Sequence, residues 1–217
     1  PTGRWQLVFE LGANKVRHEI QVEDFMPERM ALELSGSAQP LTPEQQLLVE
    51  VSGRFLYGAA AVGSQVQGQL FVRPLREALE SWPGYVFGSV TEELQPQSHD
   101  FTTQITDSEG KAQLALASQW QDAKSPLELV SRVSLLESGG RPIMRRQLQA
   151  VWPAPELVGI RAHFANQHTE QNSTAVFSLI KANAKGELLA ANSLQVRLIR
   201  ERHDYYWSYS ESGGWTT

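Results

Sequence analysis

Cysteine is absent from this 217-residue chain, and that absence removes disulfide frameworks, thiolate metal sites and a thiol nucleophile together. Also missing is any run approaching the roughly 18 apolar residues of a membrane helix. The opening "PTGRWQLVF" lacks the basic-then-apolar form of a signal peptide. Basic charge is in short supply: 19 Lys and Arg stand against 24 Asp and Glu, for a formal net charge of −5 with both signs interspersed. Nothing in that balance attracts a phosphate backbone, so nucleic acid is not an expected partner. A cysteine-free chain fits the cytosol, and equally a periplasmic protein that dispenses with the residue; it fits poorly with a small animal extracellular domain. The remainder is 41% hydrophobic and 20% charged, enough for one large or two modest cores without metals or staples. The expectation is a soluble chain, or a soluble piece of something longer.

Helical periodicity is nearly absent too. "RPLREALES" (73–81) is the one stretch that reads as a helical turn, and alternation with period two takes its place everywhere else. "RWQLVFEL" (4–11) and "VRHEIQVEDF" (16–25), separated by "GANK", predict a hairpin with one buried face. The device recurs at "LELVSRVSLL" (127–136) and "IMRRQLQAVW" (143–152) around the turn "ESGGRP". Further strands are predicted at 30–34, 46–51, 65–72, 84–90, 99–105, 111–117, 158–164, 174–180, 193–201 and 204–209. "TDSEGKA" and "NAKGELLA" carry the Asp/Asn-to-Gly chemistry of tight turns between them. The chain therefore reads as all-β.

Its organisation reads as modular. "QVEDFMPERMALEL" (21–34) and "LQAVWPAPELVGIR" (148–161) share one form, in which a strand ends on an apolar pair, proline follows, and a new alternating strand begins. Pro27 and Pro153 stand 126 positions apart, a spacing that suits tandem β-sandwich modules of roughly 100 residues or slightly more. The implied division is a closing hairpin of one module (1–26), one complete sandwich (27–153) and the opening strands of a third (154–217). "GSQVQGQLFVR" (63–73) and "GELLAANSLQVRLIR" (186–200) echo each other as equivalent strands of successive modules.

Candidate chemistry is sparse. In "FLYGAAAVGSQVQGQL" (55–70), Gly58 and Gly63 have a spacing close to that of a phosphate-binding loop. Yet Ser64 stands where lysine is needed, and an alternating strand follows where a helix N-terminus is needed. The reading preferred from the residues is that these glycines supply backbone freedom at a strand crossing. His163 and His168 are five apart, which suits neither a helical nor a strand pair of metal ligands; His18, His99 and His203 stand alone. Glu23–Asp24 and Glu92–Glu93 read as solvated turn carboxylates, and no nucleophile elbow marks any serine. "HDYYWSYSESGGW" (203–215) would set Tyr205, Trp207 and Tyr209 on one strand face with Trp215 beyond the turn. That ladder is either cross-strand packing or, in a second reading, a sugar-stacking surface of an adhesin or carbohydrate-binding module. "NST" (172–174) has the form of a glycosylation acceptor. No catalytic, cofactor-binding or metal-binding residue is assigned, and no cofactor is expected.

The motifs resemble one family. "GRFLYGAAAVGSQVQGQL" (53–70) is similar to the tyrosine-x-glycine-x-proline-x-x-glycine signature of macroglobulin-like domains in bacterial α2-macroglobulins, with Ala60 where the family usually has proline. "SGGRPIMRRQL" (138–148), "KGELLAANSLQVRLIRERHDYYWSYSESGGW" (185–215) and "VEDFMPERMALEL" (22–34) resemble its closing hairpin, its next module and its inter-module junction. The resemblance implies fibronectin-III-like sandwiches forming the scaffold and trap wall of a broad-spectrum endopeptidase inhibitor. In that family a bait segment is cut, the molecule rearranges, and a thioester captures the attacking protease. The implied partners are attacking proteases and neighbouring macroglobulin-like domains, with no enzymatic activity. The implied placement is the periplasm, at the inner membrane through a lipid anchor. With no cysteine, neither thioester nor anchor lies within this stretch.

Overall fold

The computed structural model describes residues 2–12, 14–22, 28–89, 92, 97–136, 142–164, 169–191 and 193–199, with the backbone alone for 208–210 and 214–216. No helix occurs among them, and every ladder is antiparallel. The all-β architecture of stacked antiparallel sheets follows from the period-two pattern, which gives each strand one face to bury.

The central body is a sandwich. One sheet has the order β3 (Met30–Ser35), β4 (Leu47–Phe55), β9 (Lys111–Leu116). The facing sheet has the order β11 (Ile143–Val151), β10 (Leu127–Leu136), β5 (Gln65–Pro74), β7 (Gln97–Asp100), with β8 (Gln104–Ile105) also on β5. Alternate positions point inwards: Leu47, Val49 and Val51 from β4, and Leu127, Leu129, Val133 and Leu135 from β10, all at most 2% exposed. With Met30, Val66, Leu70 and Leu114 they form one contiguous core. Each such side chain stabilises the fold by roughly 1.5–3 kcal/mol relative to leaving it in water. Gly68 of β5 lacks the Cβ that would come within 3.0 Å of the Phe101 ring, so that ring settles onto the sheet.

A second, smaller core lies beyond β11. It gathers Leu79, Tyr85, Phe87, Trp152 and Ala182, with Trp82, Leu157 and Ile180 packed against it. The sheet above it has the order β13 (Phe177–Ala182), β12 (Leu157–Ala162), β6 (Val86–Phe87). Its edge strand β6 comes from the β5–β7 connection of the sandwich, far back in the sequence.

Several expectations need correction. In "RPLREALES", Arg73 and Pro74 end β5 and the rest follows bends and turns rather than a helix, because Leu79 and its neighbours are drawn into the second core. The predicted strand at 84–90 shrinks to β6, and that at 99–105 divides into β7 and β8 around a break at Phe101, which turns into the core. Among the described residues, 193–199 have no strand partner, and 186–191 contribute one bridge, Leu188 to Ala182. The echo with 63–73 therefore does not extend to secondary structure. The hairpin β1 (Gly3–Leu11) and β2 (Asn14–Val22) forms, but both strands are exposed throughout. Its register sets Trp5 against Ile20 and Phe9 against Val16, an apolar ladder open to solvent where a buried face was expected.

Candidate functional site

The glycine stretch is a tight crossing between the two sheets of the sandwich. β4 ends at Phe55, whose N–H donates to the Ala59 carbonyl at 2.8 Å, while the Gly58 N–H donates back to Phe55 at 2.9 Å. Gly58 (φ +100°) and Gly63 (φ +68°) both occupy left-handed conformations that a side chain would strain. Tyr57, the tyrosine of the motif, stacks on Phe55 with ring centroids 5.2 Å apart. Past the turn, Ala61 is fully buried and its N–H donates to the Gly53 carbonyl at 3.0 Å.

Ser64 decides the phosphate question. Its N–H donates to Thr106 Oγ1 at 2.8 Å, and that hydroxyl donates to the Ala61 carbonyl at 2.5 Å, all within buried surroundings. The amide a phosphate would need is thus committed to the protein. The next residue begins β5, not a helix. The stretch is structural, as the alternation after Ser64 indicates.

The remaining candidates do not converge. His163 Nε2 lies 2.6 Å from Ser178 Oγ, an exposed pair with no carboxylate partner among the described residues. His168 and His203 lie outside the described residues. Among the described residues no three His, Asp or Glu side chains gather as a metal site. Glu92 Oε1 accepts from the Lys124 N–H at 2.8 Å; Glu93, Glu23 and Asp24 lie outside the described residues. So do Tyr205 and Trp207. The backbone of β14 (Ser208–Ser210) pairs with β15 (Gly214–Thr216), setting Tyr209 opposite Trp215. Asn172 is exposed at φ +63°.

Where the charged groups act, they tie elements together. Asp107 Oδ1 accepts from the N–H groups of Glu109 (2.8 Å) and Lys111 (2.9 Å), and those backbone donors hold its carboxyl below the usual carboxylate range. Arg145 of β11 holds Glu28 through two contacts, at 2.8 and 3.2 Å, which lower the Glu28 pKa and raise that of Arg145. That pair pins the entry of the sandwich to its exit strand.

The part that sequence reading missed is the contribution of residues 79–88 to the junction it placed at Pro153. Phe87 is fully buried, 5.5 Å from the Trp152 ring, and packs on Gly159. Trp82 Nε1 donates to the Gly186 carbonyl at 2.8 Å, and the Arg161 guanidinium lies 5.0 Å from the Tyr85 ring centroid. The available signal was the density of aromatic residues in "ESWPGYVFG" (80–88), which is high for a solvent-exposed loop.

The sandwich and the antiparallel sheet that follows it have the all-β build of macroglobulin-like domains. The model of the bacterial alpha-2-macroglobulin MG5 domain matches residues 28–153, and that of bacterial macroglobulin domain 6 matches 159–217. The chain belongs to the bacterial alpha-2-macroglobulin family. It is 44% identical to the alpha-2-macroglobulin of Escherichia coli K12 over 99% of its length, and spans 14% of that protein. It superposes on the native conformation of the E. coli protein with a TM-score of 0.85 at 43% identity, covering 99% of this chain and 14% of that one. On the trypsin-activated E. coli protein the TM-score is 0.75 at 42% identity, covering 94% and 15%.

Proposed function

We propose that the chain is a scaffold and trap-wall stretch of a longer protease-trapping protein, without catalytic residues of its own. The observation that carries this reading is the likeness, along nearly the whole chain, to a relative solved both in its native conformation and activated by trypsin. Its partners are then attacking proteases, met by the longer protein, and the neighbouring macroglobulin-like modules. The open Trp5–Ile20 ladder supports assigning 1–26 to the close of a preceding module, whose remaining strands would cover it. On the same reading 27–153 is one complete module, and 154–217 opens the next.

The placement we propose is the periplasm, with the longer protein held at the inner membrane by a lipid anchor outside this stretch. The test is a trypsin-capture assay on the full-length protein, read as a covalent high-mass complex on a denaturing gel, together with cell fractionation. Absence of capture defeats the trap reading, and a cytosolic location defeats the placement. The carbohydrate-binding reading gains no support, since both domain matches are to macroglobulin models.

A further inference from the structure

Residues 75–89 leave β5, cross to the second sheet and return, closed on themselves at the neck by the Phe87 N–H donating to the Arg76 carbonyl at 2.9 Å. The base is fixed to the first sandwich. The Leu75 N–H donates to the Pro126 carbonyl at 2.8 Å, the Ser89 N–H donates to Ser125 Oγ at 2.9 Å, and Arg76 Nη1 donates to the Ser89 carbonyl at 3.0 Å. Gly88 (φ +95°) lies so close to Ser125 that an added Cβ would meet its Oγ at 2.2 Å. The tip is fixed to the other body: Val86 and Phe87 pair with Ile160 and Gly159, and Trp82 bonds Gly186.

Two modules joined only by a short linker, here residues 152–156, swing about it unless their interface is large and apolar. Here a second connection, noncovalent and offset from the linker, is anchored on both sides and buries Leu79, Tyr85 and Phe87. Two separated attachments remove the rotations that one linker allows.

We propose that residues 75–89 are a coupling strap that makes the 28–153 sandwich and the β12–β13 sheet a single rigid lever, so that rearrangement of the longer protein pivots outside this pair. The proposal rests on the protease-trap reading and specifies which joint of the trap wall stays closed.

The test is a staple. A Cβ on Gly186 would lie 3.7 Å from Ser81 Cβ, inside the roughly 3.5–4.5 Å range of a disulfide. In the full-length protein carrying Ser81→Cys and Gly186→Cys, oxidation should form the bridge. Trypsin capture should then stay within about twofold of wild type in both redox forms, because a closed joint loses nothing by being locked. Capture that falls about tenfold on oxidation and returns on reduction overturns the strap.

Gly186 sits at φ +79°, where a Cys is strained; if the bridge does not form, the reduced variant does not fold, or wild-type protein captures no trypsin, hydrogen exchange decides. In full-length Phe87→Ala, the amides of Gly159 and Ile160 should exchange at least about tenfold faster while those of β10 are unchanged. Unchanged exchange at β12 refutes the strap independently of the trap reading.

Discussion

Gly159 of β12 lies directly across the ladder from Phe87 of β6, and a Cβ added to it would sit 2.6 Å from the phenyl ring. The ring occupies the space that the missing side chain leaves, and Trp152 closes its other side. Gly159→Ala should therefore destabilise the second core by about 1–3 kcal/mol, the usual cost of overpacking. The check is a double-mutant cycle by urea unfolding. In a Phe87→Ala background the same substitution should be nearly neutral, and additivity of the two costs would refute the pairing.

Thr106 carries the glycine crossing. Thr106→Val preserves shape but leaves the buried Ser64 N–H and Ala61 carbonyl without that hydroxyl. A loss of about 1–3 kcal/mol is expected by thermal or urea unfolding, with Thr106→Ser retaining most of it.

Gly110 sits at φ +75°, and its added Cβ would approach the Gly53 carbonyl oxygen at 2.3 Å and the Ala61 backbone nitrogen at 2.9 Å. Both neighbours are backbone, so neither can rotate away. Gly110→Ala should cost on the order of 3 kcal/mol through strain and displacement together. In contrast, Gly58→Ala meets no atom within 4 Å and should cost only the backbone strain, about 1 kcal/mol. A comparison of the two midpoints tests the distinction.

The Asp107 turn predicts an acid limb. Its folded pKa is depressed below the ordinary aspartate value by the two backbone donors, so its contribution is fully present above the unfolded value and is lost as pH falls through the lower folded one. Asp107→Asn should reduce stability at pH 7 and narrow its gap from wild type once the pH lies well below the ordinary aspartate value. Denaturation midpoints at the two pH values provide the measurement, and a constant gap would refute the assignment.

Strands with one inward face were legible wherever the alternation itself marks the buried face. β3, β4, β5, β9, β10 and β11 emerge from their alternation because Leu47, Val49 and Val51, or Leu127, Leu129 and Val133, fall on one side of each strand and face a single core. The failures lie where no such alternation is present and packing decides the local structure. "RPLREALES" has helical spacing, yet Leu79 faces Tyr85 and Phe87 in a core whose other wall, Leu157 and Ala182, is distant in sequence. Local periodicity carries no information about such a wall. The apolar face of β1 and β2 was legible as a pattern, but what covers it was not.

The strap also has an evolutionary meaning. Surface connections ordinarily gain and lose residues with little penalty. The segment 75–89 lacks that freedom, because Leu75 and Ser89 are fixed to one body while Phe87 and Trp82 are fixed to another. One inserted residue between Arg76 and Phe87 would shift the β6 register and turn Phe87 from the core face to the opposite one. Its length should therefore be among the most invariant of any connection in the molecule, a ruler set by the distance between two modules.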